Sequence, residues 1–174
     1  MSKVKFNLVG NTFTHLTNGN KGYSVHGKES KYIEWVGEDG EGTFYIDNTI
    51  NQGIVDKKDG PKYLWLLESR FIKPGLVESI IDNREAVEDA YETIFTHDQR
   101  LLALGDKYKW CPAQGFWIKD PKVYEKSKMI SMIASNKNMC EGHRLRLEWV
   151  DRIGDQLDLY GRGFKEIADK EEGL

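Results

Sequence analysis

Residues 128–164 read KMISMIASNKNMCEGHRLRLEWVDRIGDQLDLYGRGF. The order of residue types in this stretch spells strand, loop, helix, strand. Met129, Ile130, Met132, Ile133 and Ala134 form a near-continuous apolar run, the pattern of a strand covered on both faces. A polar loop follows, Asn136 to Gly142. Leu145, Trp149, Val150 and Ile153 then recur at helical spacing with charges between them. Gly154 and Asp155 end that helix, and Leu157 to Tyr160 reads as a second strand closed by Gly161 and Gly163. A right-handed crossover makes the two strands parallel. Such a unit opens a nucleotide-binding half-domain, and phosphate sits at its first loop.

Outward from this unit, the preceding chain also alternates strands with helices. Val4, Phe6 and Leu8 alternate with polar neighbours and predict a first strand. Asn11 to Gly22 and Gln52 to Pro61 read as loops, and Tyr32 to Val36 as an ambiguous strand. Thr43 to Ile46 is a β-branched and aromatic strand ending at Asp47. Tyr63 to Leu67 is the most apolar run of the first half and predicts a central parallel strand, with Glu68, Ser69 and Arg70 at its carboxyl end. Pro74 and Gly75 lead into a helical stretch through Ile81, and Arg84 to Tyr91 continues it. Thr93 to Thr96 reads as a strand, and Asp98 to Leu104 as a short helix capped by Asp98. Lys109 to Ile118 is aromatic-rich, and Asp120-Pro121 marks the best boundary. The class is therefore α/β. Residues 1–120 have room for a complete α/β domain, whereas 121–174 supply one β-α-β unit and an acidic tail, Asp169 to Glu172. The alternative is a single domain in which 128–164 joins the first sheet.

Composition bounds the function. A net charge of −3 gives no global pull toward nucleic acid. No apolar run reaches the roughly 18 residues of a membrane span. The first residues, MSKVKFNLVG, lack the apolar core of about 7–15 residues that a signal peptide carries. Cys111 and Cys140 match no metal spacing and read as free thiols in a reducing compartment, so the chain is read as cytoplasmic. Gly161-Arg162-Gly163 follows a strand, but residue 166 is Glu, so the dinucleotide fingerprint fails. No phosphate-loop Gly-Lys-Ser/Thr, His-Glu-x-x-His or Asp-x-Asp motif occurs; Asp56 and Asp59, like Asp155 and Asp158, stand one residue too far apart.

Two side chains carry the chemistry. Arg144 begins the helix of the β-α-β unit, where free N–H groups and the dipole attract anions. A cation there opposes the dipole. A diphosphate gripped by two parallel hydrogen bonds accounts for it, and a solvated i,i+4 pair with Glu148 is the alternative. Ser135 and Asn136 at the end of the preceding strand are companions for such an anion, and ordinary loop hydrogen bonding is their alternative. Glu68 stands where ligands approach an α/β sheet and is a candidate general base; pairing with Arg70 or a lysine is its alternative. His97, at the end of a strand, could touch a ligand or bond locally, and His143, beside Arg144, could add to the anion site or stand exposed.

Three stretches, in order, resemble the alpha-1,3-fucosyltransferases. KYLWLLES at 62–69 is similar to the acceptor-domain strand of that family, which ends in Glu-Ser-Pro; Arg70 stands here in place of the proline. YETIFTHDQRLLALGDKYKWCPAQGFWI at 91–118 is similar to the segment closing the family's first domain. Residues 126–164 resemble the opening of its donor domain, and Asp158, Tyr160 and Gly161 match the Asp-x-Tyr-Gly ending. The resemblance implies a GT-B fold of two Rossmann-like domains facing a cleft. It implies metal-free transfer of a sugar with inversion, from a nucleotide-diphosphate donor, GDP-linked fucose, to a glycan hydroxyl. Glu68 would deprotonate the acceptor, Arg144 would hold the diphosphate, and Ser135, Asn136 and Tyr160 would line the donor site. In that family the donor domain continues with a Glu-Asn and a Thr-Glu-Lys segment. Neither follows here, so the expectation is a first domain plus an incomplete second one. A non-catalytic glycan- or protein-binding module, self-associating through an uncovered apolar face, is the competing reading.

Overall fold

The computed structural model describes residues 2–10, 31–112 and 122–168. The chain divides into two compact units, Met1–Gly115 and Phe116–Leu174. The boundary expected at Asp120-Pro121, the loop from Asn11, the end of the aromatic segment and the acidic tail lie outside the described residues.

The first unit is a parallel α/β sheet of six strands: β1 Val4–Val9, β2 Ile33–Val36, β3 Thr43–Ile46, β4 Lys62–Trp65, β5 Thr93–Thr96 and β6 Tyr108–Trp110. Their order is β2-β1-β3-β4-β5-β6. The chain starts in the interior, steps to one edge, returns past β1 and then runs steadily to the other edge. This is a Rossmann-like arrangement with its order reversal between β1 and β3, and ligands of such sheets bind beyond the carboxyl ends of the strands.

Alternation sorts the side chains of the strands onto two faces. Tyr45, Leu64, Ile94 and Tyr108 share one face. Onto it pack Ile50 of α1 (Ile50–Val55), Leu76, Val77 and Ile80 of α2 (Pro74–Asp82), Val87 of α3 (Arg84–Ala90) and Leu101 of α4 (Gln99–Leu102). All four described α-helices of this unit thus feed one core. The opposite face carries linked rings from Phe6, Trp35, Phe44, Tyr63, Trp65 and Phe95.

Where Gln52–Pro61 reads as loop, the chain first forms α1. Its sequence, INQGIV, is weak as a helix, and tertiary packing overrides that weakness. Ile50 and Gly53 are buried, the Tyr91 hydroxyl donates to the Ile50 carbonyl at 2.6 Å, and Lys62 Nζ donates to the last carbonyls, Gly53 O at 2.8 Å and Asp56 O at 3.0 Å. A cation at a helix carboxyl end is also favoured by the dipole. The Tyr45 hydroxyl donates to Asp56. Burial pushes the Tyr45 and Tyr91 phenols well above the usual range, with Asp56 adding to the rise at Tyr45.

The second unit is one β-α-β element: β7 Ile130–Ile133, α5 Glu141–Ile153 and β8 Leu157–Tyr160. β7 and β8 pair in parallel, Ile130 with Leu157 through Ile133 with Tyr160, as a separate two-stranded sheet. They do not join the first sheet. Gly154, at φ 57°, ends α5 as its sequence predicts. The expectation that β7 is covered on both faces fails. Ile130 and Ser131 are exposed, Met129 is 91% exposed, and α5 buries none of its residues, so two strands and one helix leave apolar surface uncovered.

Candidate functional site

A set of polar side chains of the first unit follows the carboxyl ends of β3, β4 and β5. β4 ends at Trp65, earlier than the apolar run through Leu67 implies. Leu66 and Leu67 are apolar because the segment leaving the strand is itself buried, and the Leu66 N–H still bonds the Phe95 carbonyl at 2.9 Å. Glu68 follows, half-buried at the end of this segment.

Its neighbours are tied on both sides. Asp47 Oδ1 accepts from the Leu67 N–H at 2.8 Å and the Glu68 N–H at 3.3 Å. The Ser69 carbonyl accepts from the Ile72 and Lys73 N–H groups at 2.9 Å, and its hydroxyl oxygen accepts from the Phe71 N–H at 3.2 Å. Arg70 reaches the start of α4 and places Nη1 at 3.3 and 3.1 Å from the two oxygens of Asp98. Asp98 also caps α4 by accepting from the Arg100 N–H at 2.9 Å, as expected of that residue.

Arg70 takes Asp98 and Lys73 takes Asp47, at 3.1 and 3.6 Å. Among the described residues, no hydrogen bond or ion pair holds the Glu68 carboxylate. A carboxylate free on a tied backbone can accept a proton from a ligand hydroxyl. Beyond β5, His97 has its Nδ1 buried without a hydrogen-bond partner among the described residues. An open concavity of about 330 Å³ adjoins this region, lined by Asn48, Asn51, Lys73, Gly75, Leu76 and Ser79 among others.

Asp47 reads in the sequence only as the end of a strand. It is fully buried, it adopts φ 45°, and its Oδ2 faces Lys73. A lone Asp after a strand looks like any turn acid, and no local pattern separates the two.

In the second unit, the loop after β7 and the turn after β8 lie against each other. The Ala134 N–H bonds the Tyr160 carbonyl at 2.8 Å, and the Asn136 N–H bonds the Arg162 carbonyl at 3.1 Å. Gly161 and Gly163, at φ 111° and 85°, permit the approach: a Cβ on Gly161 would sit 2.0 Å from the Ala134 oxygen, and one on Gly163 would meet the Asn136 side chain at 2.3 Å. Ser135 and Asn136 thus sit at the carboxyl end of β7, as expected. Tyr160 is buried beneath the ammonium groups of Lys128 and Lys165, 4.5 and 5.3 Å from its ring centroid.

Arg144 stands in the first turn of α5, exposed, and its guanidinium makes no hydrogen bond or ion pair among the described residues. The alternative pairing with Glu148 is not formed. The arginine that turns toward the loop is Arg146, whose Nη2 donates to the Ser135 carbonyl at 2.8 Å and lies 3.4 Å from the Lys137 carbonyl. Two residues on a helix are about 200° apart, so only one of the two can face the loop. The structure therefore brings Ser135 together with Arg146 and leaves Arg144 as a free cation near the helix N-terminus. His143 Nδ1 is buried without a hydrogen-bond partner among the described residues.

Among the described residues, no three His, Cys, Asp or Glu side chains converge as a metal site, and no helix is long and apolar enough to cross a membrane. Cys111 and Cys140 are free, and burial pushes the Cys111 thiol up. Comparisons with family models, curated proteins and solved structures found no match to this chain.

Proposed function

We propose that the chain is an inverting glycosyltransferase of GT-B type, or the amino-terminal portion of one, that takes a GDP-linked sugar, fucose, and a glycan acceptor. The observation that carries this reading is the Glu68 carboxylate, left free by its neighbours at the carboxyl end of a central parallel strand. Glu68 takes the proton of the acceptor hydroxyl. The oxygen attacks the anomeric carbon, the bond from that carbon to the diphosphate oxygen breaks, and the electron pair leaves on the diphosphate. Arg144, free in the first turn of α5, supplies the positive charge for the leaving group, together with the helix N-terminus. Ser135, Asn136 and Tyr160 belong to the donor side of the same reading.

Titration calorimetry with GDP and UDP, on the parent chain and on Arg144→Ala, tests the donor side. GDP is expected to bind more tightly than UDP. A charge-assisted contact is worth about 2 kcal/mol, so the variant should lose roughly 30-fold in affinity. A folded chain that binds neither nucleotide defeats the reading for these 174 residues.

A second reading has its own observation. Leu145 and Trp149 of α5 are about half-exposed, and Met129 and Ile130 of the same unit are exposed as well. Apolar surface of this kind suits a binding module that associates with a second copy or with another chain. Sedimentation over a concentration series discriminates: a monomer throughout counts against self-association.

A further inference from the structure

We propose that Asp47 is a positioning residue for Glu68, fixing from β3 the backbone on which the candidate base stands. What Glu68 does rests on the glycosyltransferase reading; how it is held does not. Asp47 occupies an expensive position. Its φ of 45° lies in the left-handed region that residues other than glycine rarely adopt, and its carboxylate, fully buried, has given up its hydration. Glycine would relieve the first cost and asparagine the second.

The carboxylate does something neither replacement does as well. One oxygen accepts two consecutive N–H groups, Leu67 and Glu68, where the chain has just left β4. A charged acceptor makes such bonds about twice as strong as a neutral one. The other oxygen faces Lys73, whose ammonium is 3.6 Å away and offsets the buried charge. On the far side, Arg70 anchors the same segment to Asp98. Glu68 and Ser69 are the two residues between these anchors, and of the two only Glu68 has a side chain that stays unengaged. A rigid backbone under a free carboxylate is the arrangement a pre-organised base requires.

Amide hydrogen exchange on the full chain, followed residue by residue by NMR, tests the proposal with Asp47→Ala and Asp47→Asn. In Asp47→Ala the Leu67 and Glu68 amides should exchange at least 10-fold faster, while the Tyr45 and Val150 amides keep their rates. Asp47→Asn retains an acceptor oxygen and should bring both amides back to within about threefold of the parent. Equal rates in a folded Asp47→Ala chain, or no rescue by asparagine, overturn the proposal. If Asp47→Ala does not fold, Lys73→Met replaces it. Loss of the counter-ion should then speed the same two amides threefold or more, and unchanged rates overturn the proposal.

Hydrolysis of GDP-fucose, with water in place of the acceptor, separates this from the functional reading. Asp47→Ala should lower kcat about 10-fold or more and leave KM for the donor unchanged. A parent chain with no turnover, whose variants show the expected exchange pattern, defeats sugar transfer by these 174 residues and supports the positioning role. Turnover without that pattern does the reverse.

Discussion

Replacing Gly53 by alanine sets a propensity gain against a steric loss, and the structure says which is larger. In a helix interior the change is worth about 0.5–1 kcal/mol in favour of alanine. The new Cβ, however, would lie 2.0 Å from Tyr91 Oη, 2.7 Å from its Cζ and 2.9 Å from Tyr45 Cδ2. Neither ring can retreat easily, since both tyrosines are buried and the Tyr91 hydroxyl is held at 2.6 Å from the Ile50 carbonyl. Overpacking costs about 1–3 kcal/mol, and displacing that hydroxyl costs about 1 kcal/mol more. The net expectation is a loss of about 2–3 kcal/mol, read in urea denaturation as a lower midpoint at unchanged slope. The melting temperature should fall by roughly 5–10 °C. Tyr91→Phe removes the nearest clashing atom in advance, so Gly53→Ala should cost at least about 1 kcal/mol less in that background. A neutral or stabilising Gly53→Ala, or strict additivity with Tyr91→Phe, refutes the reasoning.

Burial raises the phenols of Tyr45 and Tyr91, and that of Tyr108 to about 12, so folding favours their neutral forms. Their contribution is complete below the ordinary phenol pKa near 10 and is lost as pH rises above it, by at most about 1.4 kcal/mol per pH unit for each; denaturation between pH 8 and 11.5 measures the slope. Arg146→Ala removes the donor to the Ser135 and Lys137 carbonyls, and exchange in the loop after β7 should quicken several-fold without loss of the first unit. Gly161→Ala meets both a φ of 111° and the Ala134 oxygen, so the second unit should lose about 3 kcal/mol or unfold while the first melts as before. Glu68→Gln should abolish sugar transfer yet change stability by no more than about 0.5 kcal/mol, because no partner among the described residues loses a bond.

The elements legible in the sequence are those with a local cause. Thr43–Ile46, Thr93–Thr96 and Leu157–Tyr160 are strands with the bounds their β-branched, aromatic and alternating residues imply. Pro74 and Asp98 start helices because one pre-sets φ and the other accepts an N–H. Where the cause is distant, the reading fails. α1 exists because Tyr91, some forty positions later, bonds its first carbonyl. Leu66 and Leu67 look like strand because burial, not pairing geometry, selects apolar residues. At the site, Glu68 was visible from its place after an apolar run. Asp47 was not, since its partners are N–H groups twenty residues on, which every sequence contains. The choice between Arg144 and Arg146 depends on helix phase, which composition at the helix start does not fix.

The aromatic face of the first sheet has a bearing on how the unit folds. Phe6, Trp35, Phe44, Tyr63 and Phe95 each come from a different strand, yet Phe44 lies within 6 Å of Phe6, Trp35, Tyr63 and Phe95, centroid to centroid. None of these contacts can form until the intervening loops close, and parallel pairing provides no hairpin to close them early. The layer should therefore assemble late and together, in a slow step limited by chain topology. Its near-ultraviolet dichroism would then trail the helical signal in a refolding trace, a clock for sheet closure carried by the chain's own rings.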